Sequence, residues 1–106
     1  ERMRKPDDAS RGILWRAMLG NREIGKAKES VENYIKENPD YFDSYFILAR
    51  IEAESGNRAD AERNLIRALE NGYTDLEEIN SNPDLKEIFD SLAHLKEVYQ
   101  DCLDKT

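Results

Sequence analysis

The feature that most constrains this chain is a weak internal repeat with a period of 34 residues. The pairs that align at this offset are Leu14 and Leu48, Arg16 and Arg50, Ala27 and Ala61, Val31 and Leu65, and Ile35 and Leu69. A unit of this length accommodates two helices and a turn, and such units bury their apolar faces by stacking on their neighbours. The sequence therefore predicts an all-α fold built from helix hairpins.

Turn signals divide residues 1–40 into two predicted helices. The first spans about 8–19 and ends at Gly20-Asn21, because glycine and asparagine are common just after a helix. Its apolar residues at helical spacing are Ile13, Leu14, Ala17 and Met18. The second spans about 23–37 and ends at Asn38-Pro39, since the residue before proline is disfavoured in a helix. Its apolar stripe consists of Ile24, Ala27, Val31, Tyr34 and Ile35.

The next hairpin is predicted at about 42–54 and 58–70, with a turn at Gly56-Asn57 and a left-handed cap at Asn71-Gly72. The residues expected to face its partner helix from the third helix are Tyr45, Leu48, Ala49 and Glu52. Alanine recurs where the two helices must approach each other, at positions 49, 61 and 68. Small side chains there allow close packing, and larger ones such as Leu65 fill the gaps.

The chain from Tyr73 onward departs from the period. A short helix is predicted at 75–80, and Asn82-Pro83 has the cap and first-turn residues of another helix. That helix is long and amphipathic, either continuous or broken near Asp90-Ser91, and we expect it to cover the apolar face of the last hairpin. Its apolar residues are Leu85, Ile88, Phe89, Leu92, Leu95, Val98, Tyr99, Cys102 and Leu103.

This pattern resembles the tetratricopeptide repeat, a 34-residue helix–turn–helix motif. With Phe42 as its first position, the second copy has the motif residues Tyr45, Leu48, Ala49, Gly56, Ala61, Leu65 and Ala68, whereas Tyr73 stands where proline is usual. The first copy has Leu14, Ala27, Val31 and Pro39, departs at Arg11, Trp15 and Tyr34, and has its turn two residues early. The tail, NGYTDLEEINSNPDLKEIF, is similar to the ending of bacterial members of the family.

The resemblance implies a right-handed stack of antiparallel helix hairpins in one domain, residues 1–106. The repeats would lie at about 8–41 and 42–75, and a capping segment at 76–104. In this family the first helix of each repeat lines a concave groove that binds a peptide. The positions that this implies for the groove are Arg16, Leu19, Asp43, Phe46, Arg50 and Ala53.

Composition narrows the function classes. The net charge is −7, and it is uneven: residues 1–40 carry nine basic and eight acidic side chains, whereas residues 41–106 carry seven and fifteen. An acidic C-terminal half argues against nucleic acid as the ligand, because phosphate contacts need clustered lysines and arginines. The longest apolar run, Ile13-Leu14-Trp15, is too short to span a membrane. The lone Cys102 favours a reducing, cytoplasmic compartment, with a protein exported after signal removal as the alternative.

No sequence motif for catalysis, a cofactor or a metal is present. The chain lacks a phosphate-binding glycine loop, a nucleophile elbow and a His-Glu-x-x-His zinc motif. The only histidine, His94, lies eight residues from Cys102, about 12 Å along a helix and too far for a thiol–imidazole pair. The acidic residues lack the alternation of a calcium loop. We therefore expect a protein that is not an enzyme and has no cofactor.

Two functional hypotheses follow. In the first, the domain is a scaffold that binds a peptide or partner helix in the concave groove, where Arg16 and Arg50 could bracket a carboxylate of an acidic peptide. The arginines could instead pair with acids of the same chain, such as Glu54 one turn after Arg50. In the second hypothesis, the domain is architectural, packs within a larger protein or associates with its own copy. Trp15 could also anchor a peptide in the groove, but an aromatic residue at this point of the first helix is more often part of the core.

Overall fold

The computed structural model describes residues 6–73 and 75–91, together with Glu97, Gln100 and Asp104. Within these residues the chain is helical and contains no strand. The helices are α1 (Pro6–Gly20), α2 (Ile24–Glu37), α3 (Phe42–Glu54), α4 (Arg58–Glu70), α5 (Leu76–Ser81) and α6 (Pro83–Ser91). The expectation of an all-α fold is confirmed at this level, and the predicted bounds of α3 and α4 agree with the structure residue by residue.

Helix α3 lies at the centre of the fold. It packs against α1, α2, α4 and α6, and its most extensive contact is with α4. Nine of its thirteen residues are buried, including the charged residues Asp43 and Glu52. A helix that is apolar around most of its circumference is typical of a core position. The rest of the described chain is therefore arranged around α3.

The contact between α3 and α4 explains the recurrent alanines. Ala49, Ala61 and Ala68 are completely buried, as is Leu65. Close packing of two helices requires small side chains where the backbones approach, and larger ones elsewhere in the interface. The four residues of α3 that were predicted to face α4 are all buried, and the carboxylate of one of them, Glu52, pairs with Lys28 of α2.

Of the four apolar residues predicted to pack on α1, only Met18 is packed against the core, and the helix is rotated by about one residue from the prediction. Ile13 is 71% exposed, Leu14 41% exposed, and Ala17 also faces solvent, whereas Trp15 and Leu19 are buried. Trp15 directs this rotation, because burying an indole removes more apolar surface from water than burying Leu14 would. Its ring packs edge-on against Tyr34, 5.5 Å between centroids, and its Nε1 donates a hydrogen bond of 3.0 Å to the Ser30 hydroxyl.

The first turn is not two residues early, contrary to the prediction from Gly20-Asn21. Arg22 takes the left-handed conformation at φ 61°, and the Glu23 amide bonds to the Met18 carbonyl at 2.8 Å. The equivalent residues 34 positions later make the same turn: Gly56 has φ 84°, and the Asn57 amide bonds to the Glu52 carbonyl at 2.8 Å. This pair of turns is a Schellman motif in both hairpins, with arginine where glycine is normally required.

Helix α4 also ends in a Schellman motif, in which Gly72 has φ 109° and the Tyr73 amide donates to the Ala68 carbonyl. The predicted left-handed cap at Asn71-Gly72 is confirmed. The following helices, α5 and α6, pack against each other, and α6 also contacts α3 and α4 as expected of a covering helix. The predicted continuation of the final helix, with Leu92 to Leu103, His94 and Cys102, lies outside the described residues.

Replacing Arg22 with glycine should stabilise the protein by about 0.5–1 kcal/mol, because glycine adopts positive φ without steric cost. The free energy of unfolding measured in urea checks this value. A glycine at exposed, helical Lys36 is the control and should destabilise by about 1 kcal/mol. Equal effects at both positions would contradict the left-handed turn at Arg22.

Candidate functional site

Arg16, one of the residues predicted to line the groove, uses all of its N–H donors within the chain. Arg16 donates from Nη1 and Nη2 to the two carboxylate oxygens of Asp43, at 2.6 and 2.7 Å. It donates from Nε and Nη2 to the two oxygens of Glu78, at 2.7 and 2.8 Å. The remaining Nη1 hydrogen goes to the Gly12 carbonyl at 3.1 Å. Because arginine has five N–H donors, all of them are satisfied within the chain.

We call the group formed by Arg16, Asp43, Glu78 and Tyr73 the Arg16 clasp. It joins α1, the first turn of α3, and the α4–α5 segment. Tyr73 stacks on the fully buried ring of Phe46, 4.4 Å between centroids and 7° between planes, and its hydroxyl donates to Glu78 at 2.6 Å. Two bidentate ion pairs on one guanidinium are a strong and directional arrangement. The clasp therefore fixes α5 against the first helices of both hairpins.

The close approach of α1 to α3 depends on Gly12. This residue is buried, and a Cβ placed there would lie 2.5 Å from the Asp43 Oδ2 atom and 3.1 Å from the Arg16 Nη1 atom. Any side chain at position 12 would therefore collide with the ion pair. Glycine is unfavourable inside a helix, and the lack of space for a side chain explains why position 12 nevertheless has one.

The clasp shifts the pKa values of Glu78, Tyr73 and Arg16. Burial by itself would raise the pKa of Glu78, but hydrogen bonds from Arg16 and Tyr73 and the charges of Arg16 and Arg50 outweigh it, so its pKa is lowered. Burial and the hydrogen bond to Glu78 raise the pKa of Tyr73. Burial would lower the pKa of Arg16, but bonds to both carboxylates raise it. Near neutral pH Arg16 is therefore a cation, Glu78 an anion and Tyr73 a neutral phenol.

Arg50, one repeat after Arg16, has a different environment. Its Nε lies 3.8 Å from a carboxylate oxygen of Glu54, the pairing that sequence spacing indicated. The Nε atom is buried and makes no hydrogen bond. Arg50 lines a small cleft of about 110 Å³ with Phe46, Glu78, Ser81 and Asn82. The two arginines of the repeat are thus not equivalent, and Arg50 does not pair with a residue of α1.

The other residues predicted to line the groove are mostly buried in the structure. Leu19 is 8% exposed, Phe46 is fully buried and Asp43 is 5% exposed, so these three side chains belong to the interior in this structure. Ala53 is half-buried and packs against the core. The α4–α5 segment covers part of the surface between α1 and α3, which sequence reasoning had assigned to a ligand.

An open cleft of about 620 Å³ remains beside the clasp, and we call it the acidic cleft. It lies where α1, the start of α3 and the α4–α5 segment meet. Its lining residues are Gly12, Ile13, Arg16, Tyr41, Phe42, Asp43, Gly72, Tyr73, Asp75 and Glu78. Three carboxylates and one guanidinium line it, so the lining carries a net negative charge. Exposed Ile13 and partly buried Phe42 add an apolar wall.

Sequence reasoning missed the roles of Gly12, Tyr73 and Glu78. Arg16 and Glu78 are 62 residues apart, and no helical spacing or repeat offset relates them. A signal was present at position 12, where a glycine interrupts an otherwise helical segment and is tolerated only for a packing reason. The spacing of Asp75 and Glu78 also predicts a cap, and the Asp75 carboxylate does accept the Glu78 amide at 3.1 Å.

Comparisons of the chain with protein-family models, with curated proteins and with solved structures found no match. Within the described ranges, no group of three or more His, Cys, Asp or Glu side chains is arranged to hold a metal ion. None of the helices seen there has the length and hydropathy needed to cross a bilayer. The site is therefore characterised by its own geometry.

Replacing Arg16 with lysine should destabilise the protein by about 2 kcal/mol, because one ammonium cannot form two bidentate pairs and leaves a buried carboxylate poorly paired. Arg50→Lys is the matched control at the equivalent repeat position, and it should change the free energy of unfolding by less than about 0.5 kcal/mol. Chemical denaturation of both variants checks the difference. Equal losses of unfolding free energy in the two variants would contradict the double pairing of Arg16 with Asp43 and Glu78.

The clasp also predicts a pH dependence. The folded-state pKa of Glu78 lies below its ordinary value of 4.5, so its ionised form stabilises the folded protein above that pH. The stability difference between wild type and Glu78→Gln should therefore be constant between about pH 6 and 8. It should shrink as the pH falls through the lowered pKa. Urea denaturation of both proteins from about pH 8 to below pH 4.5 measures this difference in unfolding free energy, and a difference that grows toward low pH would contradict the assigned pairing.

Proposed function

We propose that this protein is a non-catalytic interaction module that holds a segment of a partner protein in the acidic cleft. The ligand carries a basic side chain next to an apolar one. The basic group lies against Asp43, Asp75 and Glu78, and the apolar group lies on Ile13 and Phe42. The observation that carries the proposal is the excess of carboxylates over available cations in an open cleft with an apolar wall.

The sign of the charge on the ligand follows from the hydrogen bonds of Arg16. A carboxylate ligand would need an N–H donor, but every donor of Arg16 is already used by the chain. It would also meet three carboxylates at close range, and like charges brought together cost free energy. A lysine or arginine side chain of the ligand would instead meet carboxylates of opposite charge and could donate hydrogen bonds to them. Carboxylate oxygens accept several hydrogen bonds each, so Asp43 and Glu78 keep acceptor capacity beyond their bonds to Arg16.

The same geometry favours binding over catalysis. Asp43 and Glu78 both accept hydrogen bonds from Arg16, and Asp75 caps α5, so each carboxylate already has a structural role. A general acid would need a raised carboxyl pKa, whereas the pKa of Glu78 is lowered. The resemblance to tetratricopeptide repeats supports an interaction function as well. With one small cleft, we expect micromolar or weaker affinity.

The Asp75→Asn variant tests the role of charge. Asparagine is as good a helix cap as aspartate, so α5 should keep its start while the cleft loses one negative charge. Affinity for a short peptide with a central lysine between apolar residues should fall by about three- to tenfold. Fluorescence polarisation of the labelled peptide measures this change.

Two controls make the result specific. Asp84→Asn removes a charge from the first turn of α6, outside the residues that line the acidic cleft, and should leave affinity unchanged. A peptide with norleucine in place of lysine keeps the aliphatic chain without the charge, and it should bind more weakly than the lysine peptide. A glutamate peptide that binds as well as the lysine peptide would exclude a preference for cations.

A further inference from the structure

The guanidinium of Arg50 has a buried hydrogen-bond donor without an acceptor. Its Nε atom is shielded from water, yet it bonds to no acceptor in the part of the chain that the structure describes. The carboxylate oxygen of Glu54, with which Arg50 forms an ion pair, lies 3.8 Å from this atom, which is too long for a hydrogen bond. Because a buried donor without an acceptor costs free energy, an acceptor from outside the chain would stabilise this arrangement.

Arg50 lines the small cleft of about 110 Å³ described above, which we call the Arg50 cleft. The other residues that line it are Phe46 of α3, Glu78 and Ser81 of α5, and Asn82, which links α5 to α6. A cleft of this size has room for a few water molecules or for the end of one side chain. We therefore looked for a single side-chain group that fits its lining.

The lining of the Arg50 cleft offers both donors and acceptors of hydrogen bonds. The Oδ1 atom of Asn82 accepts the Leu85 amide at 3.3 Å, so its Nδ2 group supplies the donors that this residue turns to a ligand. Ser81 donates its hydroxyl hydrogen to the Glu78 carbonyl at 2.9 Å, and its hydroxyl oxygen keeps lone pairs that can accept. A ligand group that both accepts and donates therefore matches this lining.

The charges around the Arg50 cleft favour a neutral ligand group. Arg50 pairs with Glu54 on its own helix, and the carboxylate of Glu78 is held by Arg16 and Tyr73. Arg50 is close enough to Glu78 for its charge to help lower the pKa of that carboxyl. An anionic ligand would meet two carboxylates beside one guanidinium, and a cationic ligand would meet the guanidinium itself. Like charges at close range cost free energy, so both are disfavoured.

A primary carboxamide, the end group of asparagine and glutamine, meets these requirements. It is uncharged, its oxygen accepts hydrogen bonds, and its NH₂ group donates two. In the Arg50 cleft the oxygen would accept from Arg50 and Asn82, and the NH₂ group would donate to Ser81 or Glu78. A carboxylate lacks the donors and an ammonium lacks the acceptor, so neither of them uses the whole lining.

We propose that the Arg50 cleft binds the carboxamide of a glutamine that lies close to the basic residue in the same partner segment. This inference rests on the proposed function, because it places a second side chain of the ligand that the acidic cleft holds. The two clefts share Glu78 as a lining residue, so the two ligand side chains are neighbours. In an extended segment, residues two positions apart point to the same side and are about 7 Å apart. The partner therefore carries its glutamine two positions from its lysine.

Matched peptides test the proposal. Each is fluorescein-labelled, has a central lysine between apolar residues, and carries glutamine, leucine or glutamate two positions before the lysine in one set and two positions after it in the other. We expect the glutamine peptide of one set to bind the wild-type protein about three- to tenfold more tightly than its leucine and glutamate counterparts, because it gains hydrogen bonds to the guanidinium. Fluorescence polarisation measures the dissociation constants.

Two variants of the Arg50 cleft should abolish this preference. Arg50→Lys keeps the charge and removes the Nε donor. Asn82→Asp keeps a good cap for α6 and removes the Nδ2 donors. In each variant we expect the affinities for the glutamine and leucine peptides to differ by less than about twofold. Circular dichroism should show an unchanged fold for both.

Two further variants serve as controls. Asn33→Asp makes the same substitution at an exposed position of α2, outside the residues that line either cleft, and should keep the preference for glutamine. Asp75→Asn acts on the lysine and should weaken the glutamine and leucine peptides by the same factor. The ratio of the two affinities therefore reports on the Arg50 cleft, and their common change reports on the acidic cleft.

Three outcomes would overturn the proposal. If the glutamine and leucine peptides bind equally well in both sets, the Arg50 cleft takes only water, and the proposed function stands as long as Asp75→Asn weakens both. If the glutamate peptide binds most tightly, the cleft is a site for anions. If no lysine peptide binds at about 1 mM, the proposed function fails and this inference fails with it.

Discussion

A helix that is buried around most of its circumference leaves some of its charged residues without access to water. Helix α3 is in this position, and it carries Asp43 near its start and Glu52 near its end. Each carboxylate is paired with a cation from an earlier helix: Asp43 with Arg16 of α1, and Glu52 with Lys28 of α2 at 3.3 Å. Removing one partner of such a pair leaves a buried charge without compensation. The two ion pairs therefore favour the observed positions of α1 and α2 against α3, and the first of them lies in the wall of the acidic cleft.

Local sequence was sufficient for much of the fold. The hairpin of α3 and α4 was predictable in bounds and packing face, because alanine spacing and a glycine turn both indicate it. The face of α1 was not, since Ile13, Leu14 and Ala17 have the same spacing as a core stripe. Only the competition with Trp15 decides which side is buried. Arg22 likewise takes a conformation that its residue type disfavours, so the turn position followed the 34-residue register and not the glycine at position 20.

The candidate site was less predictable than the fold. Arg16 was identified from its repeat position, but its partners come from 27 and 62 residues further along the chain. Such pairings depend on tertiary packing, which helical spacing does not encode. The pairing of Arg50 with Glu54 was predictable because it lies within one helix turn. Because every N–H donor of Arg16 is used within the chain, the ligand that we propose carries a basic group in place of the acidic group first expected.

The chain contains a single tryptophan, Trp15 of α1, and its side chain is fully buried. Its indole therefore serves as a native optical reporter of the first hairpin. An indole in an apolar interior emits at shorter wavelength than one in water, so detachment of α1 from α2 and α3 would shift the emission to the red. The hairpin of α3 and α4 contains no tryptophan, and its loss would be seen by circular dichroism. Comparing the two signals during unfolding would reveal whether the hairpins separate in one step or in sequence.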